Sequence, residues 1–200
     1  MIKRLGRVDY LPTWQAMRNF NDLRSESTRD EIWLLEHFPV YTLGLNGKQD
    51  HVLNAGAIPL VRSDRGGQVT YHGPGQIIAY LLLDLRRHSF GVRELVRRME
   101  GAVIGLLADY DVPAHCRAGA PGVYVKGAKI AALGLRVRRH CCYHGLALNV
   151  DMDLEPFSRI DPCGYPGLAV TQARDCGIHD KMADIADRLA KHLTRTICSD

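Results

Sequence analysis

The sequence predicts an α/β fold of the α+β kind: a mixed, largely antiparallel sheet with flanking helices. Three observations lead there. Segments of helical and of strand periodicity follow one another along the chain. The second half carries strand signals in close succession, as an antiparallel meander would. No repeat, low-complexity tract or linker separates them. At 200 residues and 46% hydrophobic composition the chain is long enough for one well-buried core, so a single domain over residues 1–200 is expected.

Taken in order, Trp14, Met17, Phe20 and Leu23 recur at helical spacing behind a Thr13 cap. They predict a helix over 13–28 that opens the fold. The stretch EIWLLEHFPVYTLG (31–44) reads as strand ending at a glycine, PLVRSD (59–64) as a second strand, and QIIAYLLLDL (76–85) as a third. Between the last two, RGGQVTYHGPGQ (65–76) reads as a glycine-rich loop. Val92, Leu95, Val96, Met99, Val103 and Leu106 mark a long amphipathic helix to about residue 108. From 121 onward GVYVKG, AKIAALGLRVRR and HGLALNVDMDL read as strands. In the second, Leu133, Leu135 and Val137 alternate with Gly134, Arg136 and Arg138, as in a half-buried antiparallel strand. Met182, Ile185, Leu189 and Leu193 predict a last helix over 179–197, packed on the sheet.

Composition narrows the function. Lysine and arginine exceed aspartate and glutamate by 26 to 22, a formal charge of +4. That excess suits acidic protein partners and is too diffuse for a nucleic-acid footprint. The start lacks an apolar signal core, and the longest apolar run, residues 77–83, is far short of the roughly 20 residues of a membrane span. A cytoplasmic protein with no membrane or nucleic-acid partner is expected. Cysteines stand at 116, 141, 142, 163, 176 and 198 with no CxxC pair, which argues for reduced thiols. The cluster RHCCYH brings together His140, Cys141, Cys142 and His144. Adjacent cysteines do not match zinc-ligand spacing and no second pair completes the set, so it reads as a hairpin connection and no metal is expected.

The glycine-rich loop has two readings. Glycine admits positive φ and lets a ligand approach the main chain; Gly-Gly and Gly-Pro-Gly also mark tight turns between strands. The loop lacks the lysine of GxxxxGK[ST], and a strand rather than a helix follows it, so neither nucleotide-binding motif applies. A slot for a slender neutral chain, with amides to hydrogen-bond a carbonyl as charge develops on it, is the remaining ligand reading. An acyl group meets that description.

Four blocks in this order and spacing, RGGQVTYHGPGQ, KIAALGLRVRR, HGLALNV and IDPCGY, resemble the lipoyl/octanoyl transferases of lipoate biosynthesis, from the first strand to about residue 171. The resemblance implies a fold similar to lipoate and biotin protein ligase catalytic domains. It implies that Cys163 takes an octanoyl group from octanoyl-acyl carrier protein as a thioester. The acyl group then passes to a lysine of lipoyl domains, those of 2-oxoacid dehydrogenase complexes and the glycine cleavage H protein. It implies that Lys129 sits beside that sulfur. It implies, finally, that the acyl chain meets Arg65, Gly66, Gly67, Gln68, Val69, Thr70, Tyr71 and His72, then Ala132, Leu133 and Gly134, then Gly145, Leu146 and Ala147.

The chemistry suits these residue types. A free thiol of pKa about 8.5 is mostly protonated at neutral pH, and a nearby ammonium favours the thiolate. Burying about six methylenes at roughly 0.8 kcal/mol each gives an upper limit near 5 kcal/mol. Thioester exchange is close to neutral and amide formation from a thioester runs downhill, so no cofactor and no ATP is required. Cys163 lies between Pro162 and Gly164, in a stretch too irregular for a core element; the bland alternatives are an inert buried thiol and a solvated lysine. His72 reads either as a general base or as a residue holding the turn. Arg65 either pairs with an acid inside the fold or orients phosphopantetheine. Arg86, Arg87, Arg136, Arg138 and Arg139 either attract acidic partners or form solvated faces. Two rivals remain: an ATP-dependent lipoate or biotin protein ligase, which needs no cysteine, and a non-catalytic module that binds acyl chains or lipoyl domains and has no use for Lys129 near Cys163.

Overall fold

A computed structural model describes residues 1–88, 90–162, 165 and 167–198. In chain order the elements are β1 (Ile2–Val8), α1 (Tyr10–Asp22), β2 (Glu31–His37), β3 (Val40–Leu43), β4 (Leu60–Arg62), β5 (Val69–His72), β6 (Gln76–Leu82), α2 (Val92–Ala108), β7 (His115–Cys116), β8 (Val123–Val125), β9 (Ala128–Arg138), β10 (Cys141–Asn149) and α3 (Met182–Cys198). A seven-stranded sheet runs β1-β2-β6-β10-β9-β8-β7, and a three-stranded one β4-β3-β5. Only β1 with β2 and β3 with β4 pair in parallel; the other described ladders are antiparallel. The α+β class and the β8–β9–β10 meander match the expectation from the sequence.

Pleating sends alternate residues to opposite faces of the large sheet. One face carries Leu34, Ala79, Leu81, Leu146 and Leu148 into a core closed by Leu95, Met99, Val103 and Leu106 of α2 and Ile185, Leu189 and Leu193 of α3. The other face carries Trp33, Leu35, Ile78, Tyr80, Tyr143 and Ala147 toward Met17 of α1. The small sheet has its own cluster, with Tyr41, Leu43, Val69 and Tyr71 packed on Met152, Phe157 and Ile160. It stands beside the α1 face, and the site lies between the two.

Several expectations are corrected. The chain opens with strand β1, not a helix; this edge strand is mostly exposed and rich in charge, so it lacks the alternation that betrays a strand. Helix α1 begins at Tyr10 and ends at Asp22, not 13–28. Thr13 is inside it, its hydroxyl donating to the Asp9 carbonyl four residues back at 2.7 Å. The segment 31–44 is not one strand: Pro39, which has no N–H to give a ladder, separates β2 from β3, and the two join different sheets. Val69–His72, read as loop, is β5, and all four of its residues are buried. Cys141 and Cys142 belong to β10; the hairpin connection is Arg139–His140, both at positive φ (50° and 66°). That is the two-residue geometry whose twist suits a hairpin, here without its usual Asn-Gly.

Because Leu189 of α3 is wholly buried, Leu189→Ala is expected to lower the unfolding free energy by about 2–5 kcal/mol in urea titration. A loss below about 1 kcal/mol would mean that α3 does not close the core.

Candidate active site

The site begins with absent side chains. In the ladders of β9, β10 and β6, Gly134 pairs with Gly145 and Gly145 with Tyr80, while Ala132 pairs with Ala147 and Ala147 with Ile78. Two adjacent cross-strand rows therefore read glycine-glycine-tyrosine and alanine-alanine-isoleucine on one face. The sheet surface is hollow over β9 and β10 and walled at β6. Strand β5 and the loop before it roof this hollow, giving a narrow slot lined by Arg65, Gly67, Gln68, Val69, Thr70, His72, Ala132, Leu133, Gly134, Gly145, Leu146 and Ala147. Of the predicted lining, Gly66 and Tyr71 are not among these residues. The Gly66 amide donates to the Leu135 carbonyl at 2.9 Å, and Tyr71, one pleat out of step with Thr70 and His72, packs into the small sheet's cluster.

Two of the loop's glycines meet structural demands, packing in one case and a turn in the other. Gly66 presses its backbone onto β9: a Cβ on Gly134 would stand 2.9 Å from the Gly66 oxygen. Gly75 serves only the turn, since its φ is +87° and a Cβ there would stand 1.9 Å from the Asp151 oxygen.

Arg65 holds the roof. It is buried, and its guanidinium donates to the Thr42 hydroxyl (Nε 3.0 Å, Nη2 2.9 Å), the Gly66 carbonyl (2.9 Å) and the Gln68 carbonyl (2.7 Å). With its oxygen accepting from Arg65, the Thr42 hydroxyl proton is left for His72 Nε2 at 3.3 Å. His72 Nδ1 then donates to Gln76 Oε1 at 2.8 Å. Gln76 Nε2 donates to the Tyr71 carbonyl and to Asn149 Oδ1, and Asn149 Nδ2 to the Thr171 carbonyl. Both ring nitrogens of His72 are thus engaged within the fold, and burial, followed by the neighbouring His37 ring, takes its pKa well below the usual histidine value. It is a neutral bridge.

Sequence reading missed the polar end of the slot, which Tyr10, Tyr80 and His144 line. His37 Nδ1 faces the Val8 carbonyl at 2.9 Å, an acceptor only, so that nitrogen carries the proton and Nε2 accepts from the Tyr80 hydroxyl at 2.7 Å. Burial lowers the His37 pKa to about 4. Asp64 accepts from Trp14 Nε1 (2.8 Å), His144 Nε2 (3.1 Å) and the Tyr143 hydroxyl. Burial pushes the Asp64 carboxyl up, but the bonds from His144, Tyr143 and Trp14 outweigh it and hold it at about 2. His144 is itself in the left-handed region, φ 62°, a strained position for a residue with a Cβ. The bond to Asp64 holds it there, directly before Gly145.

Lys129 stands at the other end of β9. It is buried, 4% exposed, with Nζ donating to the Pro121 carbonyl at 3.1 Å and lying 5.3 Å from the centre of the Tyr124 ring. It lines a second, small cavity with Thr70, Gln76, Ala132, Asn149, Phe157, Pro162 and Val170. Thr70 and Ala132 line both cavities, so these two residues are the wall between the slot and the Lys129 chamber. Cys163 and Gly164 lie outside the described residues; Pro162, which precedes them, borders that chamber.

Two other groups fall away from the site. Cys141 and Cys142 point to opposite faces, as neighbours in a strand must. The Cys142 thiol donates to the Leu81 carbonyl at 3.3 Å, and burial raises its pKa to about 12. Arg136, Arg138 and Arg139 are at the far end of the β9–β10 hairpin. Nine residues of strand at about 3.3 Å each put Arg138 roughly 30 Å from Lys129. Arg86 is engaged with Asp84 at 2.7 Å and Arg87 with the Thr28 and Glu26 carbonyls.

This geometry has known counterparts. The model of the lipoyl protein ligase A/B catalytic domain matches residues 9–196. The chain belongs to that family. It is 61% identical over 199 residues to an octanoyltransferase of Thiobacillus denitrificans, covering 100% of this chain and 91% of that one. It is also 61% identical over 198 residues to an octanoyltransferase of an Azoarcus species, covering 98% and 87%. Among solved structures, a lipoate-protein ligase A bound with ATP superposes with a TM-score of 0.79 at 14% identity, covering 100% of this chain and 85% of that one. A biotin protein ligase from Aquifex aeolicus gives 0.61 at 12% identity, covering 98% and 68%. The structures share the fold; the relatives at about 60% identity make this chain an acyltransferase of the octanoyltransferase branch.

Asp64 yields a pH prediction. Its folded pKa of about 2 lies below the 3.8 of a free carboxyl, so the stability it contributes is complete above about pH 4 and is lost as pH falls through 2. Urea titrations at pH 5 and pH 2.5 are expected to show a smaller acid loss in Asp64→Asn than in the parent. Equal losses would contradict the ionised clamp.

Proposed function

We propose that the chain moves an octanoyl group from octanoyl-acyl carrier protein to a lysine of lipoyl domains through a thioester on Cys163, the first step of endogenous protein lipoylation. The observation that carries this reading is the wall shared by the slot and the Lys129 chamber. A thin chain laid along Gly134 and Gly145 would direct its carbonyl past Thr70 and Ala132 to a chamber bordered by Lys129 and by Pro162, the residue before Cys163. The 2-oxoacid dehydrogenase lipoyl domains and the glycine cleavage H protein are the acceptors the reading implies. It also implies one catalytic domain over residues 1–200 and a cytoplasmic setting; among the described residues no helix is long and apolar enough to cross a membrane.

The two steps balance without nucleotide. In the first, the Cys163 thiolate attacks the donor carbonyl, a C–S bond forms as the carrier's C–S bond breaks, and the carrier thiolate takes a proton. In the second, the acceptor amine attacks the Cys163 thioester, a C–N bond forms, and the Cys163 thiolate leaves as the amine loses a proton. Lys129 supplies the positive charge that favours the thiolate, gives a proton to the departing carrier sulfur, and takes one back from the attacking amine in the second step, which restores the ammonium. Arg65, Gly66, Gly67, Gln68, Val69, Thr70, Tyr71 and His72 act as the roof and its support. Ala132, Leu133, Gly134, Gly145, Leu146 and Ala147 act as the floor. His72 shapes rather than abstracts protons, since its nitrogens are occupied. The ATP-dependent ligase reading rests on fold alone.

Incubation with octanoyl-loaded carrier protein, without ATP, is expected to add one octanoyl group to the intact chain, removable by hydroxylamine and absent in Cys163→Ala. An unchanged mass would refute the reading. Lys129→Ala is expected to slow adduct formation by about 10²–10⁴-fold in stopped-time mass spectra, and a rate like the parent's would remove Lys129 from the mechanism.

A further inference from the structure

Helix α2 carries a carboxylate where its pattern calls for an apolar side chain. Glu100 is 9% exposed, beside Met99 and Val103 of the buried stripe, and an acid so placed persists only where hydrogen bonds hold it. Its Oε1 accepts from the Gly122 amide at 2.9 Å. The same charge acts on the Cys116 thiol of β7: burial, then the Glu100 carboxylate, raises its pKa to about 11. Gly122 lies in the segment directly before β8.

That segment is also where Lys129 is held. Its ammonium donates to the Pro121 carbonyl, one residue before the amide that Glu100 grips. Gly122 itself is the surface on which the lysine side chain rests: its φ is +141°, and a Cβ there would stand 2.9 Å from Lys129 Cε and 3.2 Å from Nζ. The Tyr124 ring of β8 flanks the ammonium, its hydroxyl donating to the Ala120 carbonyl at 3.0 Å. These contacts to the amine come from Pro121, Gly122 and Tyr124, and Glu100 reaches in from α2 to fix this segment against the core.

We propose that Glu100 is a positioning residue for the transfer, holding the Pro121–Gly122 peptide so that its carbonyl presents the Lys129 amine to the reacting sulfur. This rests on the role given to Lys129 above. Glu100 lines neither the slot nor the Lys129 chamber, so its loss is expected to displace the amine without weakening substrate binding. A misplacement of about 1 Å in such a group costs on the order of 10²-fold in rate.

The test is a set of four variants assayed for octanoyl transfer with their melting temperatures: Glu100→Ala, Glu100→Gln, Lys129→Ala and the double variant Glu100→Ala/Lys129→Ala. Glu100→Ala is expected to lower kcat by roughly 10–100-fold with KM for the octanoyl donor unchanged. Glu100→Gln, whose amide oxygen can still accept from Gly122, is expected to restore most of kcat. The double variant is expected to be no slower than Lys129→Ala alone, because a residue acting only through the amine has nothing left to position. Parent-like kcat in Glu100→Ala, or losses that multiply in the double variant, would overturn the proposal while leaving Lys129 in place. A parent-like rate in Lys129→Ala would overturn the role of the lysine, and this inference with it. If Glu100→Ala does not fold, Glu100→Met keeps the volume, removes the acceptor, and is read by the same criteria.

Discussion

The fold depends at its functional end on one buried cation. Arg65 ties strand β3, through Thr42, to the carbonyls of the glycine loop at Gly66 and Gln68, and so suspends the small sheet over a floor of glycine and alanine. Without that tether the loop has two ways to go: collapse onto Gly134, where only the absence of a Cβ keeps the contact open, or lift away to solvent. Burying a guanidinium costs several kcal/mol unless its donors are satisfied, and the carbonyls that satisfy it are the ones that shape the slot. Roof and charge are thus stabilised by the same bonds.

From Arg65 the constraint is relayed. Thr42, His72, Gln76 and Asn149 pass donors in one sense to the Thr171 carbonyl, and the Thr171 amide donates to the Lys129 carbonyl at 3.0 Å. Each such bond is worth about 1 kcal/mol net, while a buried partner left unmatched costs about 1–3 kcal/mol. The chain therefore holds as a unit. It couples the loop that covers the slot to the strand that carries the lysine, and it leaves His72 with no nitrogen for acid–base work. At the other end of the slot Asp64, gripped from α1 and β10, does the same for the strained backbone at His144 before Gly145.

What the sequence made legible were features whose cause is local. The small-residue pattern of AKIAALGLRVRR and HGLALNV describes the floor, because pleating alone puts Ala132 with Gly134 and Gly145 with Ala147 on one face. The stripes of α2 and α3 read correctly because 3.6-residue periodicity needs no partner. Strand β1 was hidden because edge strands carry charge, and β5 because its valine and threonine sit among glycines that signal turns. Asp64, Tyr80 and Glu100 were invisible for a different reason. Asp64 meets His144 across 80 residues of chain, Tyr80 meets His37 across 43, and Glu100 meets Gly122 across 22, so their significance exists only once the sheet has formed. The resemblance of the four motifs pointed to Cys163 and Lys129, and polar residues that support such a pair carry no motif of their own.

The most direct test is a crystal structure of the octanoyl-loaded protein. The hydrocarbon is expected over Gly134 and Gly145, beneath the loop that Arg65 suspends, with the thioester carbonyl emerging between Thr70 and Ala132 toward the Lys129 amine. An acyl chain seated elsewhere, for instance in the groove between β1 and α3 lined by Leu34, Ile77 and Met182, would contradict it.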